Sequence, residues 1–154
     1  MAEKVSKQAA YVAAGTRKQA PVMGGGAKKC ILITSPDTVT WAQNDTIASP
    51  VLIPKGSRFL CDTFVSHADM GTSITLDIGI RKASDNSTAI DADGICAALD
   101  VATAAARAAA NNGALVKDGV EYVTTEDSYV YATLGGGTPT ANAQLRIEVS
   151  VLFP

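Results

Sequence analysis

The residues able to do chemistry are few and scattered. The chain holds a single histidine, His67, close in sequence to Ser66 and Asp69. A nucleophilic triad needs hydroxyl, imidazole and carboxylate to converge in space, and adjacency at a strand end does not bring them together. No Gly-x-Ser-x-Gly is present, and His67 reads as a surface histidine. Asp91-Ala92-Asp93-Gly94 has the texture of a calcium loop. With Gly94 at the sixth position, however, the first ligand is Ala89 and the twelfth is Asp100, so one carboxylate is missing and the bidentate Glu is replaced. These aspartates read as a solvated turn and a helix cap. The neighbouring acids Glu126 and Asp127 point apart on extended backbone, which suits a loop better than a glycosidase pair. Gly24-Gly25-Gly26 and Gly135-Gly136-Gly137 match neither the P-loop nor the Gly-x-Gly-x-x-Gly fingerprint. They are hinges and turns.

Cys30, Cys61 and Cys96 are too far apart for Cys-x-x-Cys zinc or redox spacing, and an odd number leaves one unpaired. They read as reduced thiols, with Cys61 inside a strand pattern as a small buried hydrophobe. Tyr129 and Tyr131 share a strand face without accompanying basic residues, a pattern of packing or subunit contact and not of stacked bases. Trp41 falls in an expected loop. The sequence therefore implies no catalytic residue, no metal and no cofactor.

The elements around these residues are mostly strands. From Gln144 to Phe153, Leu145, Ile147, Val149, Val151 and Phe153 alternate with polar residues, and Ile74, Leu76, Ile78 and Ile80 do the same over 73–81. Both runs are half-buried β-strands sharing a core. Shorter strands are expected at 30–34, 46–53 with Pro50 at an edge, 58–66, 120–124 and 128–134, separated by turn signals at Ser35-Pro36-Asp37, Pro54-Lys55-Gly56 and 84–87. Seven or so short strands indicate an antiparallel sandwich or a barrel-like pair of sheets. The exception is 97–110, where nine of fourteen residues are alanine. With Asp93 as N-cap and Asn111-Asn112-Gly113 as its end, a helix over about 94–109 is the first reading. A helical turn near 95–99 followed by a small-residue strand over 101–106 is the alternative.

Composition sets the remaining bounds. The chain has 154 residues, 47% of them hydrophobic but only 5% aromatic, which makes one domain with a lean core. No secretory h-region is visible and no apolar run approaches a membrane span of ~20 residues, so a soluble product of a cytoplasm is expected. Charge is divided unevenly. Residues 1–29 carry six basic side chains against Glu3 alone, a net of +5, whereas residues 30–154 carry seven basic and fourteen acidic ones, a net of −7. The chain is thus a flexible basic arm, 1–29, on an acidic β body, 30–154. Val5, Ala9 and Val12 recur at roughly helical spacing, so part of the arm suits ordering on contact.

Leu52-Ile53-Pro54-Lys55-Gly56, Thr75-Leu76-Asp77-Ile78-Gly79-Ile80, Asp91-Ala92-Asp93-Gly94-Ile95, the run from Tyr122 to Val130 and the terminal alternating strand together cover about residues 50–154. In order and texture this chain resembles the small virion proteins of tailed bacteriophages that decorate or cement the capsid. The resemblance implies a jelly-roll or related β-sandwich, a homodimer or homotrimer, and a place on the capsid exterior where the protein bridges major capsid protein subunits. It implies no catalytic residues, no specific nucleic acid and no membrane partner. On this reading the capsid contacts fall on the arm, with Lys4, Lys7, Arg17 and Lys18 as charges and Val5 and Val12 as apolar anchors. The alternative is a fibre, adaptor or receptor-binding β module, and Trp41 is its one supporting residue.

Overall fold

A computed structural model describes residues 28–117 and 122–154. Nine strands are found among them: β1 Lys28–Thr34, β2 Thr46–Ala48, β3 Arg58–Phe59, β4 Phe64–His67, β5 Thr75–Lys82, β6 Ala89–Asp100, β7 Ala105–Ala109, β8 Ser128–Gly135 and β9 Leu145–Leu152. They form two antiparallel sheets. One has the order β1-β9-β4-β7, with β3 also on β9, and the other has the order β2-β8-β5-β6. The alternating runs do what their period requires. Ile74, Leu76, Ile78 and Ile80 meet Leu145, Ile147, Val149 and Val151 in one buried core, joined by Ile31, Ile33, Val65, Val130 and Leu134. The architecture is a β-sandwich.

In the first sheet β9 is paired on both sides. β1 lies along it from Lys28↔Leu152 to Thr34↔Arg146 without a break. On its other side β3 pairs at Phe59↔Val151 and β4 resumes at Phe64↔Glu148. Five steps along one chain answer three along the other, so residues 60–63 hold two extra residues as a bulge. An even number preserves the alternation, and Phe59, Thr63 and Val65 stay inside while Cys61 is thrown out into solvent. This corrects the expectation of a buried Cys61. The buried thiol is Cys96, on β6 opposite Ile78. The strand expected at 120–124 is not found at 122–124, and residues 120 and 121 lie outside the described residues.

The alanine-rich segment is the main departure. No described residue is helical. Residues 94–100 complete β6 against β5, residues 101–104 cross to the other sheet, and Ala105–Ala109 run back along β4 as β7. Alanine's helix propensity is worth only tenths of a kcal/mol per residue over most alternatives. A helix here would bury little but methyl groups, whereas extended chain lets Ile95, Cys96 and Val101 enter the core. The turn at Ala98 has φ +49°, and the Asp77 carboxylate accepts its N–H at 2.7 Å. Asp93 is a strand residue of β6 and caps no helix.

β6 is heavily bulged, with Ile78↔Cys96 followed by Ile80↔Asp91. Its backbone folds in over Gly79, where a Cβ would stand 2.1 Å from the Asp91 carbonyl oxygen. Only glycine admits that approach.

Two substitutions test this arrangement in chemical denaturation. Ile147→Ala, at a fully buried position, is expected to cost roughly 2–5 kcal/mol; a silent change would remove Ile147 from the core. Gly79→Ala is expected to destabilise by about 1–3 kcal/mol or more through overpacking, and full stability would mean that β6 does not cross β5 so closely.

Candidate functional site

The candidate chemical groups do not converge. His67 ends β4 opposite Leu145 and Ala105, and the alternation that buries Val65 turns it inward too, leaving it 6% exposed. It is not the surface histidine expected from sequence. Its Nδ1 donates to the Ala68 carbonyl at 2.9 Å, which leaves Nε2 as a buried acceptor without a described partner. Ser66 faces the other side of the strand, and the Asp69 carboxylate accepts the Gly71 N–H at 2.8 Å. No triad can assemble from these three.

The acidic pairs are equally committed. Asp91 and Asp93 stand two apart on β6, not on a solvated turn, and no group of three His, Cys, Asp or Glu suited to a metal occurs among the described residues. Burial, reinforced by the neighbouring Asp93, raises the pKa of Asp91. Asp127 accepts the Lys55 N–H at 2.8 Å and Glu126 pairs with Lys82 at 3.3 Å, so both fasten a loop. Tyr131 has a basic companion that the strand pattern did not suggest: the Arg81 guanidinium lies 5.5 Å from its ring centre. Burial raises the Tyr131 pKa, Arg81 opposes it, and Asp91, Asp77 and Asp93 add to it. Trp41 is buried, its indole N–H donating to the Ala143 carbonyl at 3.0 Å, and it ties a loop to the core instead of presenting a ring to solvent.

What the fold offers is surface. The start of β1, the end of β9 and β3 meet at Leu152, and the loops at 53–57 and 124–128 join them through Gly56 N–H to Thr124 (2.9 Å) and the Ile53–Ser128 pair. Lys28, the first residue of β1, lies at this end, as does Pro154 beside Gly56, and Val51 (42%) and Leu52 (43%), just before Ile53, are exposed. Lys28 is tied there to Asp62, whose pKa burial raises but hydrogen bonds from Lys28 and Ser150 bring below its ordinary value. Lys4, Val5, Lys7, Val12, Arg17 and Lys18 lie outside the described residues. On the outer face of the first sheet, Arg107 stacks on Phe64 at 3.6 Å and Arg146 pairs with Glu148 at 2.5 Å. Cys30 and Leu32 continue that face on β1, Leu32 being 48% exposed. Val51, Leu52 and Leu32 were hidden in sequence because each sits in an apolar run that reads as core.

No protein-family model and no curated protein matches the chain. Two solved structures share its fold. One is a chain of the cyanophage Pam1 capsid asymmetric unit, at TM-score 0.58 and 22% identity, over 92% of this chain and 96% of that one. The other is a chain of the capsid of Ralstonia phage GP4, at TM-score 0.65 and 17% identity, over 84% and 86%.

Thiol labelling checks the placement of the surface. Cys30 and Cys61 are expected to react with a maleimide in the folded protein, and Cys96 only on unfolding, since burial holds its thiol pKa up at about 11. Three equally fast thiols would contradict the burial of β6.

Proposed function

We propose that this chain is a structural protein of a tailed-bacteriophage virion, seated on the capsid exterior, where it decorates the shell and stabilises it by bridging major capsid protein subunits. The observation that carries the reading is the likeness to two phage capsid chains along nearly their whole length. The strand orders β1-β9-β4-β7 and β2-β8-β5-β6 support it, because they distribute the strands between two sheets in the manner of a jelly roll, an architecture common in capsids. A cement needs buried contact area at several points at once and no reaction centre, and many weak joints add up over a shell. The dispersed histidine, cysteines and carboxylates fit that non-enzymatic role. The fibre or receptor-module alternative loses its one supporting residue, since Trp41 is buried.

In this reading the arm is the grip. Lys4, Lys7, Arg17 and Lys18 supply charge and Val5 and Val12 supply apolar anchors, while the acidic body stays clear of the shell or packs with copies of itself as a dimer or trimer. Ordering costs about 1–2 kcal/mol per residue, so only part of the arm need become fixed.

The test is cosedimentation with intact heads. The protein is expected to pellet at a copy number comparable to that of the major shell protein. A chain starting at Lys28 is expected to fold, because β1 begins there, yet to bind empty shells more weakly and with a flatter salt dependence. Absence from heads would overturn the capsid reading; unchanged affinity across a salt series would overturn the role of the arm alone.

A further inference from the structure

The edges of the two sheets differ in how they are protected. An edge strand exposes unpaired N–H and C=O groups, and folds blunt such edges by shortness, proline, bulges or cover. Apart from the two-residue β3, three of the four edges among the described strands are blunted. β2 is three residues long and is followed by Pro50. β6 is bulged and covered, with Gly113 and Leu115 donating N–H groups to the Ile95 and Gly94 carbonyls and the Asn112 amide bonding both backbone groups of Ala97. β7 is five residues long and bulged against β4.

β1 is the exception. It runs seven residues in unbroken register, without proline, and its charges are confined to the first two positions. The ladder fixes which groups it leaves open. Ser35 N–H bonds the Leu145 carbonyl, and Leu60 N–H bonds the Ser150 carbonyl from the other side of β9. By antiparallel alternation Lys29, Ile31 and Ile33 bond β9, and Lys28, Cys30, Leu32 and Thr34 turn their N–H and C=O groups outward. No described strand pairs with that edge.

We infer that the free edge of β1 pairs antiparallel with β1 of a second copy of this chain, joining the first sheets of two bodies into one. The edge is self-complementary about Ile31. Lys28 falls opposite the second copy's Thr34, and Cys30 opposite its Leu32, so outward-bonding residues meet outward-bonding residues. No like charges are apposed, and the basic start of each β1 lies at the same end as Ser35-Pro36-Asp37 of the other copy, where the only charge is acidic. Cys30 and Leu32 of both copies then form one apolar patch, which shields one flank of Leu32, the most exposed large hydrophobic side chain among the described residues. This names a surface for the self-association in the reading above, and it is scored on the isolated full-length chain, so that shell binding succeeds or fails separately.

The experiment is sedimentation equilibrium over a concentration series with Leu32→Pro and Leu32→Thr. Proline at Leu32 removes an outward N–H and leaves the bonds to β9 intact. The wild type and Leu32→Thr are expected at twice the monomer mass, and Leu32→Pro at the monomer mass with an unchanged β spectrum. Should Leu32→Pro fail to fold, amide exchange of the wild type decides. Cys30, Leu32 and Thr34 amides are expected to exchange at least about tenfold faster once dilution dissociates the dimer. A wild-type monomer or trimer, a folded dimeric Leu32→Pro, or edge amides whose exchange ignores concentration would overturn the inference.

Discussion

The double pairing of β9 is the constraint on which the structure rests. Its odd residues bond β1 and fill the core, while its even residues bond β3 and β4. Every strand of the first sheet except β7 is hung directly on it. Because side chains alternate with period two, a slip of one residue in β9 would turn Leu145, Ile147, Val149 and Val151 out of the core together. The two-residue bulge between β3 and β4 is tolerable because it adds an even number. Pairing with β9 stops after Leu60 and resumes at Phe64, but Phe59 and Val65 remain on the inner face.

The second sheet is built by the opposite means. β5 and β8 keep strict register from Thr75↔Gly135 to Lys82↔Ser128, while β6 is bent repeatedly around them. Gly79 allows the β6 backbone to fold inward, and Asp77 stabilises the Ala98 turn. The same bends leave Asp91 and Asp93 close enough to Tyr131 to raise its pKa together with Asp77. The outer face of the first sheet carries Arg107, Arg146 and the exposed residues of β1.

Among the described residues the sandwich leaves Val51 and Leu52 exposed and one edge of β1 without a paired strand. Among the described residues, His67, Trp41 and Thr124 make internal hydrogen bonds, and the carboxylates of Asp69, Asp77 and Asp127 accept backbone N–H groups.

By itself the sequence determined the strands whose period is written in their side chains. β5, β8 and β9, the common core of Ile74 to Ile80 with Leu145 to Val151, the turns at 35–37 and 84–87, and the uneven charge of arm and body were all legible. The tertiary structure decided the rest. Alanine carries no period of its own, so whether 94–109 became helix or strand depended on the partners β5 and β4 supplied, and those partners favoured strand. One extra pair of residues at 60–63 reversed the expected placement of Cys61. Inward alternation of β4 buried His67, and a neighbouring strand put Arg81 over Tyr131. Edges were invisible altogether: an apolar run such as Cys30-Ile31-Leu32-Ile33 reads the same in the middle of a sheet as at its border. Only the strand order shows that one side of β1 has no neighbour among the described strands, because pairing is a property of two segments and a sequence displays them one at a time.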